Sequence, residues 1–233
     1  MCTLTYIPAL GSGKIITANR DESPLRNANK LSKYSALSGE EYYIAREPLK
    51  GGTNVAISPG NRMSVLLNGA FEPHKMGATY AKSRGILLLE SLNFSNLFDF
   101  SAEYSLTGIE PFTLIEFQED IRELRWDGLE VYKKTHDPAK PKIWASAQLY
   151  SKEVLEKRNI WFESLVNQRP QSEDVLEFHF KGGEGDPEND LVMNRNGLVQ
   201  TVSITQLIES SVQSEIKHFD LIENSEQLLD FSN

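Results

Sequence analysis

The sequence contains one cysteine, and it stands at position 2. A cysteine dropped at random into 233 places lands there about once in 233 trials, a coincidence that the reading of Cys2 as an inert buried thiol has to absorb. Position 2 has a chemical meaning. A small second residue permits removal of Met1 by methionine aminopeptidase, and Cys2 would then carry a free α-amine with an ordinary pKa of about 7.7 to 8.0. That amine can take the proton of its own thiol, directly or through water, so one residue supplies both nucleophile and base. The second chemical feature is the run Ala18-Asn19-Arg20-Asp21-Glu22. A carboxylate at Asp21 can hold an α-ammonium, and an amide at Asn19 can orient the thiol or donate to an oxyanion. Taken alone, the same run also reads as a solvated strand end in which Asp21 or Glu22 pairs with Arg20.

These residues need elements to bring them together. β-type stretches at 4–8 and 15–18 flank Leu10-Gly11-Ser12-Gly13-Lys14, whose two glycines suit a reversing loop, so the chain is expected to open with a hairpin. An antiparallel pair sets the early part of one strand against the late part of the other, which puts residues near Asn19 and Asp21 beside Cys2. Residues 23–43 are polar, with Pro24 after the strand end, and read as a long excursion of the kind that covers a site. A second hairpin is expected from 53–58 and 62–68 around Pro59-Gly60-Asn61, with Gly51-Gly52 before it. The three-residue spacing of Ile86, Leu89 and Leu92 predicts a helix over 80–92 that packs one face on a sheet. Segments 112–118, 121–126 and 129–132, separated by Glu119-Asp120 and Asp127-Gly128, predict a three-stranded meander.

Residues 143–147 form a short apolar piece. After it Ser151 can cap a helix running to about residue 168, with Val154, Leu155, Ile160, Trp161, Leu165 and Val166 available for burial. A short helix over 171–180, a glycine-rich acidic loop over 182–189, and strands at 201–208 and 212–222 complete the reading. Strands in hairpin pairs with two or three helices between them predict an α+β layered fold with largely antiparallel sheets rather than a doubly wound one. No repeat, low-complexity tract or Pro-rich linker breaks the chain, so residues 1–233 read as a single domain.

Lys and Arg number 24 against 33 Asp and Glu, a net charge of −9, in a chain that is 39% apolar. This is an ordinary globular composition. With no Lys/Arg cluster to displace phosphate counterions, nucleic acid is not an expected partner. No apolar run approaches the ~20 residues of a membrane span, and the first ten residues lack the basic start of a signal peptide, so a cytoplasmic protein is expected. One cysteine allows no internal disulfide, and His74, His136, His179 and His218 have no metal-ligand spacing, so neither a metal nor a cofactor is expected. Gly11-Ser12-Gly13-Lys14 reads as a turn rather than a phosphate loop, and His74 as a surface or loop histidine.

Further motifs follow these in order: Gly51-Gly52-Thr53, Leu67-Asn68, Ser83-Arg84-Gly85 and Pro111-Phe112-Thr113-Leu114. Together with Met1-Cys2-Thr3-Leu4 and Asn19-Arg20-Asp21-Glu22, they make the chain resemble the NRDE family, which includes the eukaryotic transport and Golgi organisation proteins. The resemblance spans residues 1 to about 120. That family is similar to the N-terminal nucleophile hydrolases, which implies a four-layer αββα sandwich of two antiparallel sheets flanked by helices.

The N-terminus also resembles that of the cysteine acylases that cleave bile-salt and penicillin V amides, which open Met-Cys-Thr and continue Arg-Asn-x-Asp. Cys2, Asn19 and Asp21 match that pattern, while the arginine stands at Arg20 and Ala18 takes its place. Asn68, before Gly69, falls where those enzymes carry an oxyanion-hole asparagine. Their second asparagine is replaced within Ser146-Ala147-Gln148, and Arg195 is the candidate for their late arginine. The resemblance implies attack by Cys2, oxyanion stabilisation by Asn68, and orientation of the terminus by Asp21 with Asn19. Arg20 would bind a substrate carboxylate or counter-charge Asp21. The expected activity is an N-terminal-cysteine amidohydrolase or acyltransferase acting on a small amide, ester or thioester. The alternative that the transport and Golgi organisation proteins imply is a non-catalytic carrier of haem or of an acyl-coenzyme A or lipid-type ligand in the same cleft.

Overall fold

In the computed structural model, which describes residues 2–9, 13–28, 30–75 and 79–232, the chain opens with β1 (Cys2–Ala9) paired antiparallel to β2 (Gly13–Glu22). Of the expected reversing loop Leu10-Gly11-Ser12-Gly13-Lys14, Gly13 and Lys14 belong to β2, and Leu10, Gly11 and Ser12 lie outside the described residues. The chain divides into two compact units, one built from Met1–Lys30, Ala139–Ala145 and Tyr150–Asn233, the other from Leu31–Pro138 and Ser146–Leu149.

The first unit adds β10 (Lys142–Ala145), β11 (Asn194–Arg195), β12 (Val199–Glu209), β13 (Ser214–Asp220) and β14 (Ser225–Asp230). These form an antiparallel sheet in the order β10-β1-β2-β12-β13-β14, with β11 on β12. Helices α3 (Lys152–Val166) and α4 (Ser172–Lys181) belong to the same unit. Ser151 caps α3 as predicted, its side chain accepting from the Val154 amide. Gln171 and Asp174 cap α4 reciprocally. Ile7 and Ile15, register partners on β1 and β2, pack with Phe162 and Leu165 of α3 and Val175 of α4. Side chains alternate along a strand, so this contact assigns the odd-numbered residues of the hairpin to the helix-facing side.

In the second unit β3 (Leu31–Ser35), β4 (Glu41–Ala45), β5 (Val55–Ser58), β6 (Arg62–Asn68), β7 (Phe112–Phe117), β8 (Ile121–Trp126) and β9 (Val131–His136) follow one another across an antiparallel sheet in chain order. Helices α1 (Arg84–Ser91) and α2 (Leu97–Glu103) bury Leu87, Leu88, Leu97 and Phe100 with Tyr42, Ile44, Phe112, Leu114 and Trp126 of that sheet. Burying each such side chain is worth about 1.5 to 3 kcal/mol, and the cluster is what holds the helices to the sheet.

Several expectations need correction. Residues 23–43 are not a loop excursion: they contain a 3-10 turn at Pro24–Arg26, all of β3 and the start of β4. Helix α1 begins four residues later than predicted because the Ser83 side chain accepts from the Ile86 amide and sets the N-terminus there. Strand β9 starts after residue 130 because the Asp127 carboxylate accepts from the amides of Leu129 and Glu130 and prolongs the turn. On α3 the buried residues are Arg158, Phe162 and Leu165, whereas Ile160 is 64% exposed. Among the described residues no helix is long and apolar enough to cross a membrane.

Candidate active site

Backbone register sets Cys2 opposite Arg20 and Thr3 opposite Asn19. Cys2 is therefore paired within one residue of both Asn19 and Asp21. The Cys2 side chain lies outside the described residues, so the site is built from its neighbours. β10 begins to pair at Thr3, which makes Thr3 the first residue of β1 with a register partner on both sides.

Asn19 and Asp21 are odd-numbered and lie on the helix-facing side. Both are fully buried. The Asn19 amide donates to the carbonyls of His179 (3.1 Å) and Leu191 (2.8 Å), and its Oδ1 lies 2.5 Å from His179 Nδ1. Oδ1 is an acceptor, so Nδ1 of His179 carries the proton and Nε2 accepts from the Thr5 hydroxyl at 2.8 Å. Burial, with the Arg158 charge adding, pushes the His179 pKa down to about 3, in keeping with this neutral tautomer. Both hydrogens of the Asn19 amide are thus committed to carbonyls, and Asn19 ties β2 to α4 and to the segment at Leu191.

Asp21 stands opposite Thr201 in the register and accepts its hydroxyl at 2.7 Å, while its other oxygen accepts from the Tyr150 hydroxyl at 2.6 Å. Burial and the Asp21 charge, against the opposing Arg158 charge, raise the Tyr150 pKa well above its ordinary value, which keeps it a hydrogen donor. Arg158 lies 3.7 Å over the Tyr150 ring and donates to the Thr3 hydroxyl and to the carbonyls of Asn189 and Asp190, the latter two at 2.9 Å. Arg195 donates to Asn189 Oδ1 at 3.0 Å and lies 5.7 Å from the same tyrosine ring. Arg20, on the alternate face of β2, is 5% exposed.

Asn68 belongs to the second unit, where it ends β6 opposite Phe112. Its carbonyl accepts from Ser146 Oγ (2.6 Å) and the Gln148 amide (3.3 Å), so the segment Ser146-Ala147-Gln148 holds the Asn68 main chain. Gln148 also brackets the main chain of His74, accepting from its amide at 2.9 Å and donating to its carbonyl at 3.0 Å. The neighbouring motifs pack around this point. Gly69 donates to the Pro111 carbonyl and accepts from Thr113, and Arg84 bonds the Pro111 carbonyl and Glu110. Thr53 donates to the Gly85 carbonyl at 3.3 Å, and a Cβ on Gly52 would lie 2.7 Å from the Gly85 carbonyl carbon.

Sequence reasoning named Cys2, Asn19, Arg20, Asp21 and Asn68, and missed Arg158, Tyr150, His179 and Thr201. One signal was available for the first of these: Arg158 occupies the position of α3 that is i−4 from Phe162 and i−7 from Leu165, in the apolar stripe.

No family model matches the chain, and no curated protein matches it in sequence. Solved structures do. The chain is similar to the Caenorhabditis elegans ortholog of N-acylethanolamine-hydrolyzing acid amidase, at 14% identity and a TM-score of 0.54, covering 88% of this chain and 92% of that one. It is also similar to two forms of the conjugated bile acid hydrolase from Clostridium perfringens. One is a cysteine-to-alanine mutant (8% identity, TM-score 0.54, 99% of this chain and 92% of that one) and the other an arginine-to-leucine variant (8%, 0.55, 98% and 92%). At these identities the likeness is one of fold. With two antiparallel sheets and four α-helices among the described residues, the chain has the α+β class expected from its sequence, and its fold is like that of these solved structures.

Proposed function

We propose that this protein is an N-terminal-cysteine amidohydrolase or acyltransferase that acts on a small amide, ester or thioester, and that it is of NRDE type. The observation that carries the reading is the pairing of Cys2 with Arg20 between two buried polar residues, Asn19 and Asp21, at the start of a strand fixed on both sides from Thr3 onward. Fold alone does not assign chemistry, so the reading rests on this placement.

In the proposed reaction Met1 is first removed. The Cys2 α-amine takes the thiol proton, and the thiolate attacks the substrate carbonyl to give a tetrahedral oxyanion, with Asn68 as the proposed donor to it. Collapse breaks the bond to the leaving amine, alcohol or thiol, which takes the proton back from the α-ammonium, and leaves an acyl-thioester on Cys2. Water, or another acceptor in an acyltransferase, attacks that thioester, passes its proton through the amine and regenerates the thiol. Asp21 would hold the ammonium: a carboxylate can accept up to about four hydrogen bonds, and Tyr150 and Thr201 supply two of them. Asn19 contributes by fixing β2, and Arg20 is proposed to meet a substrate carboxylate or to balance Asp21. A small-molecule substrate and a cytoplasmic location belong to the same proposal.

The test is alkylation near pH 7 with iodoacetamide, joined to a thermal-shift and turnover screen of N-acyl amides, acyl-coenzyme A thioesters and haem on wild type and Cys2→Ala. A nucleophilic Cys2 labels much faster than free cysteine and supports turnover that Cys2→Ala loses. An unreactive thiol with stabilisation by haem or an acyl-coenzyme A would instead favour the carrier reading.

A further inference from the structure

We infer that Arg158 is a positioning residue for Cys2, an assignment that rests on the nucleophile reading above. Arg158 is 1% exposed in the middle of α3, on the stripe that otherwise buries Phe162 and Leu165. Among the described residues no carboxylate pairs with it directly: its guanidinium meets the Thr3 hydroxyl, two main-chain carbonyls and the face of the Tyr150 ring.

A buried guanidinium held by neutral oxygens is costly for stability. An apolar side chain of similar volume would suit the stripe better, so energetics alone does not explain an arginine there. Its contacts do. Thr3 directly follows Cys2, and the Arg158 bond to its side chain comes from α3, a third direction beyond the two strands between which Thr3 is paired. The second contact, the Tyr150 ring, belongs to the side chain that donates to Asp21. One group therefore fixes both the residue beside the nucleophile and the donor that orients the carboxylate proposed to hold the terminal amine. The carbonyls of Asn189 and Asp190 both accept from Nη2 and secure the loop before β11 to the same point. Arg158 touches no reacting atom in this scheme. It acts by holding Cys2 and Asp21 in one geometry, and small misplacements of reacting groups cost rate steeply.

The experiment exploits the single cysteine, because iodoacetamide labelling followed by intact mass reads Cys2 alone. Labelling rates are measured from pH 5 to 10 for wild type, Arg158→Met, Arg158→Lys and Thr3→Val, with thermal unfolding of each. Wild type is expected to label with a midpoint below that of a free thiol. Arg158→Met is expected to slow labelling at pH 7 by about tenfold or more and to move the midpoint up toward the ordinary thiol value of about 8.5. Arg158→Lys should recover part of the effect. Thr3→Val, which keeps shape and removes only the hydroxyl, should shift the profile in the same direction and decides the matter if Arg158→Met does not fold. A reactive wild-type Cys2 whose profile is unchanged in folded Thr3→Val and Arg158→Met would overturn the positioning role and leave the nucleophile reading standing. A wild-type Cys2 no more reactive than free cysteine would overturn both.

Discussion

His179 Nδ1 donates to Asn19 Oδ1 across 2.5 Å, and the pair is fully buried. The Asn19 amide then donates back to the His179 main-chain carbonyl, so α4 is stitched to β2 through one residue at each end. Burial, with the Arg158 charge adding, favours the neutral imidazole there. A second proton on Nε2 would face the Thr5 hydroxyl, which now donates to that nitrogen and would have to turn away.

Acid should therefore destabilise the protein before its carboxylates titrate. The folded-state pKa of His179 is depressed to about 3, and burial likewise pushes His218 down to about 4. For a group depressed on folding, the stabilising contribution is complete above the ordinary value of about 6.5 and is lost as pH falls through the window below it. The loss is about 1.4 kcal/mol per pH unit per histidine. Urea midpoints at pH 7 and pH 5, at fixed ionic strength, should fall accordingly, and the His179 ring should remain neutral by NMR at pH 5. Equal midpoints at the two pH values would count against this account of the buried histidines.

Tyr150 and Thr201 each give a hydroxyl to the same buried carboxylate. Tyr150→Phe removes one charge-assisted bond from Asp21 and should cost about 1.5 to 3 kcal/mol. Thr201→Val should cost more, because the Thr201 hydroxyl also accepts from the Met193 amide at 2.9 Å. Chemical denaturation of the two variants, read for ΔG at constant m, checks the order. The reverse order would mean that Thr201 serves β12 less than its contacts indicate.

Legibility in the sequence followed the range of the interactions. Strands β1, β2, β5, β6, β7 and β8 were readable because alternation and turn residues act locally. Strand β14 was not, because Ser225–Asp230 is polar and mostly exposed and becomes a strand only by pairing with β13. Helix α2 escaped for a similar reason: it is seven residues long, and its start depends on the Asn96 side chain accepting from the amides of Phe98 and Asp99. In the site, Asn19 and Asp21 could be set beside Cys2 because a hairpin joins them. Tyr150, Arg158, His179 and Thr201 come from more than 120 positions further on, and no local pattern links a residue to partners that only the assembled sheet and helices bring near.

Gly52 and Gly85 should tolerate no side chain. A Cβ at Gly52 would lie 2.7 to 2.9 Å from Gly85 and Ile86 main-chain atoms, and one at Gly85 would lie 2.9 Å from the Thr53 nitrogen. Main chain cannot swing aside as a flexible side chain can, so Gly52→Ala should destabilise by about 1 to 3 kcal/mol through overpacking. Gly60→Ala is the comparison, since a Cβ there meets nothing within 4 Å and the cost comes only from its positive φ of 75°. A thermal midpoint for Gly52→Ala at or above that of Gly60→Ala would show that the contact between the two motifs can relax.

The sharpest separation of enzyme from carrier comes from Cys2→Ser beside Asn68→Ala, on whichever substrate the screen finds. Active protein should first prove lighter than the full sequence by one methionine, since a retained Met1 would leave no α-amine on Cys2 to act as base. Cys2→Ser keeps the size and polarity of the side chain but replaces a readily ionised thiol with a hydroxyl of far higher pKa, so turnover should collapse while ligand binding persists. Asn68→Ala removes one proposed oxyanion donor and leaves the ground-state carbonyl almost as well bound. Its kcat should fall about 100- to 1,000-fold with little change in affinity. The main-chain carbonyl of Asn68, held by Ser146 and Gln148, is untouched by that substitution, so the local backbone should survive it. A carrier behaves differently: Cys2→Ser would be nearly silent, or would weaken binding if sulfur itself touched the cargo, and Asn68→Ala would change no rate. Hydrolysis that continues at the wild-type rate in both variants would rule out Cys2 chemistry at this site.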